Sequence, residues 1–234
     1  MKELLDTLLQ DARVWQGRQQ IPTPEAEEST GYEALDRCLL GIGWPRGALT
    51  ECLLDNTGIG ELQLLLPLMR RQLANDRLVF WINPPHTPYA PALERESLDL
   101  SRVIVVQTEK SADTLWALEN CLRSSVTGLV MAWPGSLKAR GIRRLQLAAE
   151  AGGGLCVLFR HTRAGDESSP AALRLQLSPA KDRQLSVRIL KRRGGWQGSD
   201  CTLSLTGRFT EQAPGSNRVV RGPWLDANAT MQIS

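Results

Sequence analysis

The sequence predicts an α/β domain: a mostly parallel central sheet flanked by helices, with an antiparallel hairpin extension on the C-terminal side. Three observations carry this. Between residues 48 and 159, short continuous apolar runs alternate with segments of helical periodicity, as buried parallel strands covered on both faces require. Past Arg160 the apolar residues alternate in steps of two instead, the pattern of half-exposed antiparallel strands. Finally, 234 residues with 42% hydrophobic content supply one substantial core and leave little for a second.

In chain order, Leu4, Leu5, Leu8, Leu9, Ala12, Val14 and Trp15 recur at helical spacing and make residues 1–18 an amphipathic helix. It either packs on its own domain or docks on a partner. Residues 19–29, with two prolines and several glutamates, read as a linker. The core spans 30–207. Its first strand, Thr50–Leu54, runs into a turn at Asp55–Gly60 and a helix from Glu61 to Leu73. Then follow a strand at Leu78–Asn83, a short helix from Ala90, and a strand at Val103–Val106. A helix over Asp113–Leu122 is expected to pack through Leu115, Trp116 and Leu122. A strand at Gly128–Trp133, a helix at Leu137–Ala151 and a strand at Leu155–Phe159 complete the alternation. Leu173–Leu177, Leu185–Leu190 and Thr202–Leu205 form the hairpins, and residues 208–234 read as a flexible tail. Trp15, Trp44 and Trp116 are assigned to packing. Trp196 and Trp224, in polar and glycine-rich surroundings, are better placed for an interface.

Five cysteines at 38, 52, 121, 156 and 201 with two histidines fit neither a disulfide framework nor a zinc site. Acidic residues interrupt the first apolar stretch, and no run reaches membrane-spanning length. A cytoplasmic protein without membrane contact is expected. The net charge of +3 hides an asymmetry: residues 1–137 carry 12 Lys/Arg against 18 Asp/Glu, and 138–234 carry 16 against 7.

The strand, glycine turn and helix around residue 58 form the setting in which a phosphate-cradling P-loop sits. Such a loop needs Lys and Ser/Thr at its end, whereas Gly58-Ile59-Gly60-Glu61-Leu62 presents a carboxylate, which repels a triphosphate. The loop of Gly58, Gly60 and Glu61 therefore reads as vestigial, and neither a cofactor nor a metal is expected. No Ser, Cys or acid is placed by motif to work with His86 or His161, so no catalytic residue is assigned.

Upstream, Thr30-Gly31-Tyr32-Glu33-Ala34-Leu35-Asp36 and Gly43-Trp44-Pro45-Arg46-Gly47 resemble the approach to the P-loop in the RecA/RadA recombinase family. That resemblance implies a RecA-like core and identifies two further positions. The water-activating Glu matches Pro85, and the magnesium-positioning Asp falls where Ala132 runs into Trp133-Pro134. Losing clamp, base and metal ligand together implies no ATPase activity. The stretches VWQGRQ (14–19), WPRGALTE (44–51), GIGELQLLLP (58–67), PPHTPYAPAL (84–93) and LKRRGG (190–195) resemble the ImuA family of RecA-like proteins more closely. The SulA-type cell-division inhibitors are similar at greater distance.

The ImuA resemblance implies a non-enzymatic accessory protein of the SOS DNA-damage response, an adaptor in error-prone translesion synthesis. Its implied partners are an ImuB-like Y-family pseudo-polymerase and an error-prone polymerase III alpha-type subunit. RecA, further copies of the chain and DNA are additional ones, and the protein would be nucleoid-associated when on DNA. The SulA resemblance implies instead an inhibitor that binds FtsZ. The basic half offers Lys138, Arg140, Arg143 and Arg144 around one helix start, Arg160 and Arg163 after a strand, and Lys191, Arg192 and Arg193 with Trp196 on a glycine turn. Clustered cations beside an aromatic ring suit sequence-independent DNA binding. A merely solvated or protein-facing surface is the competing reading.

Overall fold

The structure, a computed structural model, describes residues 27–41, 43–192 and 200–205. The helix expected over 1–18, most of the linker and the tail at 208–234 lie outside the described residues. Helices α1 (Glu33–Cys38), α2 (Glu61–Ala74), α3 (Ala90–Arg95), α4 (Ser111–Arg123) and α5 (Ala139–Gly152) alternate with the strands of the main sheet. Those strands are β3 (Ala48–Leu53), β4 (Leu78–Ile82), β5 (Val103–Val106), β6 (Thr127–Ala132), β7 (Leu155–Arg160), β8 (Leu173–Pro179), β9 (Gln184–Arg192) and β10 (Asp200–Ser204). A separate two-stranded ribbon pairs β1 (Glu27–Glu28) with β2 (Trp44–Pro45).

The eight strands lie in the order β10-β9-β8-β3-β7-β6-β4-β5. The stretch from β8 to β5 is parallel throughout, and β9 and β10 add on antiparallel. This is the mixed α/β sheet that the two apolar periodicities predict, and the change of period at Arg160 marks where crossovers give way to hairpins.

All six residues of β3, β6 and β7 are buried, because helices cover both faces. On one face α1, α2 and α3 bury Leu35, Leu64, Leu68, Met69 and Leu93. On the other, α4 and α5 bury Leu118, Leu122, Ile142, Leu145 and Ala148. Each fully buried leucine or isoleucine contributes about 1.5–3 kcal/mol. Gln146 on the inner face of α5 accepts the Leu49 N–H at 3.0 Å and so joins that helix to β3.

Two expectations need amendment. Trp116 is 68% exposed, not part of the packing face. In α4 the buried stripe runs through Thr114, Leu118 and Leu122, and at about 100° per residue position 116 points away from both 114 and 118. The last residues assigned to the linker are anchored as well. Glu28 accepts hydrogen bonds from Arg46 at 3.0 Å, Arg71 at 3.1 Å and Gln72 at 2.7 Å. Trp44 is fully buried, as expected.

Candidate functional site

The carboxyl ends of the parallel strands are where an open α/β sheet binds ligands. At the end of β3 the chain turns through Asp55–Gly60, with positive φ at Gly58 (83°) and Gly60 (110°), and enters α2. These are conditions for a phosphate cradle: consecutive backbone N–H groups facing one point at a helix N-terminus. Glu61 fills that point. Its buried carboxylate accepts the Gly58 N–H at 2.7 Å through Oε1, and the Ile59 and Gly60 N–H groups at 2.9 and 3.2 Å through Oε2. The negative charge at the start of α2 is favoured by the helix dipole, and charge-assisted bonds of this kind are the strong ones. Burial, followed by the nearby Glu61 and Glu51 charges, pushes the Cys52 thiol far up.

The ends of β4 and β6 are packed by different means. After β4, Asn83 adopts φ 51°. Its side chain donates to Thr108 Oγ1 at 2.9 Å and to Thr114 Oγ1 at 3.2 Å, and accepts the Thr108 N–H at 2.7 Å. This polar knot leaves Pro85 and His86 exposed on the turn that follows. After β6, Trp133 stacks on Phe159 with centroids 4.6 Å apart, and Trp81 lies 6.0 Å away. Aromatic rings thus occupy the end of β6, where the sequence offered no metal ligand. Among the described residues no group of three or more His, Cys, Asp or Glu is placed to hold a metal ion.

Beside the loop runs a groove of about 720 Å³, lined by Gly58, Ile59 and Gln63 from the loop and α2, and by Pro179, Arg183 and Leu205 from the hairpins. Leu205 packs so tightly on Gly60 that a Cβ there would come within 2.2 Å of Leu205 Cδ1. Asp55 in the loop accepts from Thr162 Oγ1, and its Oδ1 lies 3.8 Å from His161 Nε2. The loops after β3 and β7 are thereby joined.

The cations assigned to DNA do not form one patch. Lys138, Arg140, Arg143 and Arg163 are exposed. Arg144 reaches across to Glu119 on α4 at 2.5 Å, and Arg123 holds the same carboxylate at 3.0 Å, which pulls the Glu119 carboxyl below the usual range. Arg160 must be taken off the surface. Its side chain is 5% exposed and donates to Glu51 Oε1 at 2.6 Å, while Arg174 donates to Glu51 Oε2 at 2.7 Å. Glu51, wholly buried in the central strand, needs two counter-charges, and β7 and β8 on either side supply them. Arg160 also donates to the Leu137 carbonyl at 3.2 Å, which ties the loop before α5 to the end of β7 and brings Lys138 and Arg163 to the same edge. Lys191 folds back to donate to the Ser169 carbonyl at 2.6 Å, and Arg192 is partly buried. Arg193 and Trp196 lie outside the described residues.

The Glu61 plug and the Arg160–Glu51–Arg174 triad were not read from the sequence. The available signal was a carboxylate in the middle of an apolar strand, at Glu51, which demands a buried partner.

The family described as "Cell division inhibitor SulA" matches residues 47–156, from β3 to the start of β7. A protein of that name from Photorhabdus laumondii is 30% identical over 115 residues, which cover 49% of this chain and 65% of that protein. Another, from Serratia proteamaculans, is 26% identical over 121 residues, 52% of this chain and 72% of that protein. "Protein ImuA" of Caulobacter vibrioides is 31% identical over 144 residues, 58% of each chain. The chain therefore spans about two thirds of the SulA proteins and rather more than half of the ImuA protein. The similarity to proteins of both names runs through the central strands of this chain and the helices that cover them.

Proposed function

We propose that this chain is a RecA-like protein with a degenerate P-loop and no ATPase activity, an adaptor of the SOS response that acts in error-prone translesion synthesis and contacts DNA. The observation that carries the reading is the Glu61 carboxylate seated among the loop N–H groups. A site that has filled its own phosphate cradle has no use for a nucleotide, so the fold's remaining assets are its surfaces. Lys138 and Arg163, brought to one edge with Arg140 nearby, suit a phosphate backbone through counterion release. The similarity to the Caulobacter ImuA protein supports the mutagenesis role. In that role an ImuB-like pseudo-polymerase, a polymerase III alpha-type subunit and RecA filaments are the partners.

The test is fluorescence anisotropy of labelled single-stranded DNA across a salt series, with the full chain and with Lys138, Arg140 and Arg163 changed together to Ala. Binding that weakens with salt and is lost in the triple variant supports the reading. A flat response from the intact chain removes DNA contact.

A SulA-like inhibitor of FtsZ is the second reading, and the family match over residues 47–156 favours it. Light scattering of FtsZ polymerisation with added chain separates the two. Suppression at stoichiometric ratios selects the inhibitor, and undisturbed polymers select the adaptor.

A further inference from the structure

Cys38, the last residue of α1, and Cys201, in the edge strand β10, are brought together by the fold from opposite ends of the core. The Cys38 thiol donates to the Asp200 carbonyl at 3.9 Å, across 162 positions of sequence, and Cys201 is the next residue. Side chains alternate along β10, so Cys201 shares the face of buried Leu203, and both cysteines pack against the core cluster beneath α1 and α2. A hydrogen bond joins the two thiols. Burial first, then the charge of Cys38 and that hydrogen bond, hold the Cys201 thiol above the ordinary cysteine range. Both residues are half-buried, within reach of a small solute. The other three cysteines differ: Cys52 and Cys156 are wholly buried, and Cys121 packs on the opposite face of the sheet.

We propose that Cys38 and Cys201 are a reversible modification site, a thiol pair that a hydroperoxide oxidises to a disulfide between α1 and β10. Cys38 acts first. Its thiolate attacks one peroxide oxygen: an S–O bond forms, the O–O bond breaks, and the other oxygen leaves as an alcohol or water after taking a proton. The sulfur is oxidised to a sulfenic acid and the peroxide is reduced. That step also removes the Cys38 charge that kept the proton on Cys201. The Cys201 sulfur then attacks the Cys38 sulfur, the S–S bond forms, the S–O bond breaks, and the hydroxyl leaves as water with the Cys201 proton. A disulfide requires side chains that already point at each other, and the hydrogen bond between the thiols meets that condition. The crosslink straps β10 to α1, and with it the neighbouring Leu205, which packs on Gly60 and walls the groove beside the loop. The inference stands apart from the adaptor reading, since it uses neither the loop carboxylate nor the basic edge.

The test treats the reduced full chain with hydrogen peroxide under native conditions, blocks the remaining thiols with N-ethylmaleimide, and maps the peptides by mass spectrometry without reductant. Of the five free thiols, two are expected to disappear, joined as a Cys38–Cys201 disulfide within one chain and restored by dithiothreitol. Cys201→Ser, checked for fold by circular dichroism, should stop at the sulfenic acid, so that dimedone labels Cys38 in this variant and not in the intact chain. Cys38→Ser should keep its four thiols through the same treatment. Retention of all five thiols by the intact chain overturns the proposal. So does a disulfide that joins other cysteines or two chains, or dimedone capture on Cys201 in place of Cys38. Each of these results leaves the DNA and FtsZ assays untouched, so the two readings fail separately.

Discussion

Glu61 holds the Gly58 N–H at 2.7 Å and in doing so neutralises the cradle that its own helix creates. Glu61→Ala removes a buried acceptor of three N–H groups, and the expected loss of stability is about 2–4 kcal/mol. The vacated cradle then has an appetite for anions. Thermal unfolding with added inorganic phosphate should raise the melting temperature of Glu61→Ala and leave the intact chain unmoved. Equal response of both would mean that Glu61 does not guard the site.

Glu51 lies between Arg160 and Arg174 with 2.6 and 2.7 Å contacts. Removing its charge by Glu51→Gln leaves two buried guanidinium groups facing each other, at an expected cost of about 3–5 kcal/mol. Replacing all three residues by apolar side chains of similar volume should recover most of it, since the desolvation of three charges disappears as well. Urea denaturation of the single and triple variants measures both effects, and a mild single variant would refute the account of Arg160 as an inward-facing charge.

Gly60 has no room for a side chain. Gly60→Ala places Cβ 2.2 Å from Leu205 Cδ1 at a backbone φ of 110°, and about 2–4 kcal/mol of destabilisation is expected. Adding Leu205→Ala relieves the clash but not the backbone strain, so rescue should be partial. A double-mutant cycle read by chemical denaturation gives the coupling.

Burial raises the thiols of Cys52 and Cys156 well above the ordinary cysteine range. An acid whose folded value is raised stabilises the fold fully below its unfolded value. That contribution is lost as pH climbs from the unfolded value towards the folded one. Stability should therefore fall above about pH 8.5, by about 1.4 kcal/mol per pH unit for each thiol. Cys156→Ala should show a shallower alkaline slope in urea midpoints between neutral pH and pH 10. Reaction with a thiol reagent at neutral pH should spare both residues until the chain unfolds.

The sheet was legible because a buried parallel strand leaves a continuous apolar run and an edge hairpin leaves an alternating one. β3, β6 and β7 betray themselves by the first pattern, β8 and β9 by the second. That a carboxylate, Glu61, closes the glycine turn was legible, but the direction it points was not, since a repelled ligand and a captured cradle share one sequence. Trp116 was misplaced by counting apolar residues on α4 instead of following their phase. Arg160 looked like a surface cation because it ends a strand. Its partner Glu51 is 109 residues away, a distance that only the strand order spans.

That strand order also governs how the chain is made. β3 pairs with β7 and β8 on its two sides, both emerging from the ribosome more than a hundred residues after it. Until they arrive, the first core strand has no neighbours and Glu51 has no counter-charge, so the N-terminal half must wait in a sticky, incomplete state. Pairings of such long sequence separation close slowly. A message cut short before Arg174 therefore yields a chain fit for a protease, and completion of synthesis itself becomes a checkpoint on how much working protein the cell obtains.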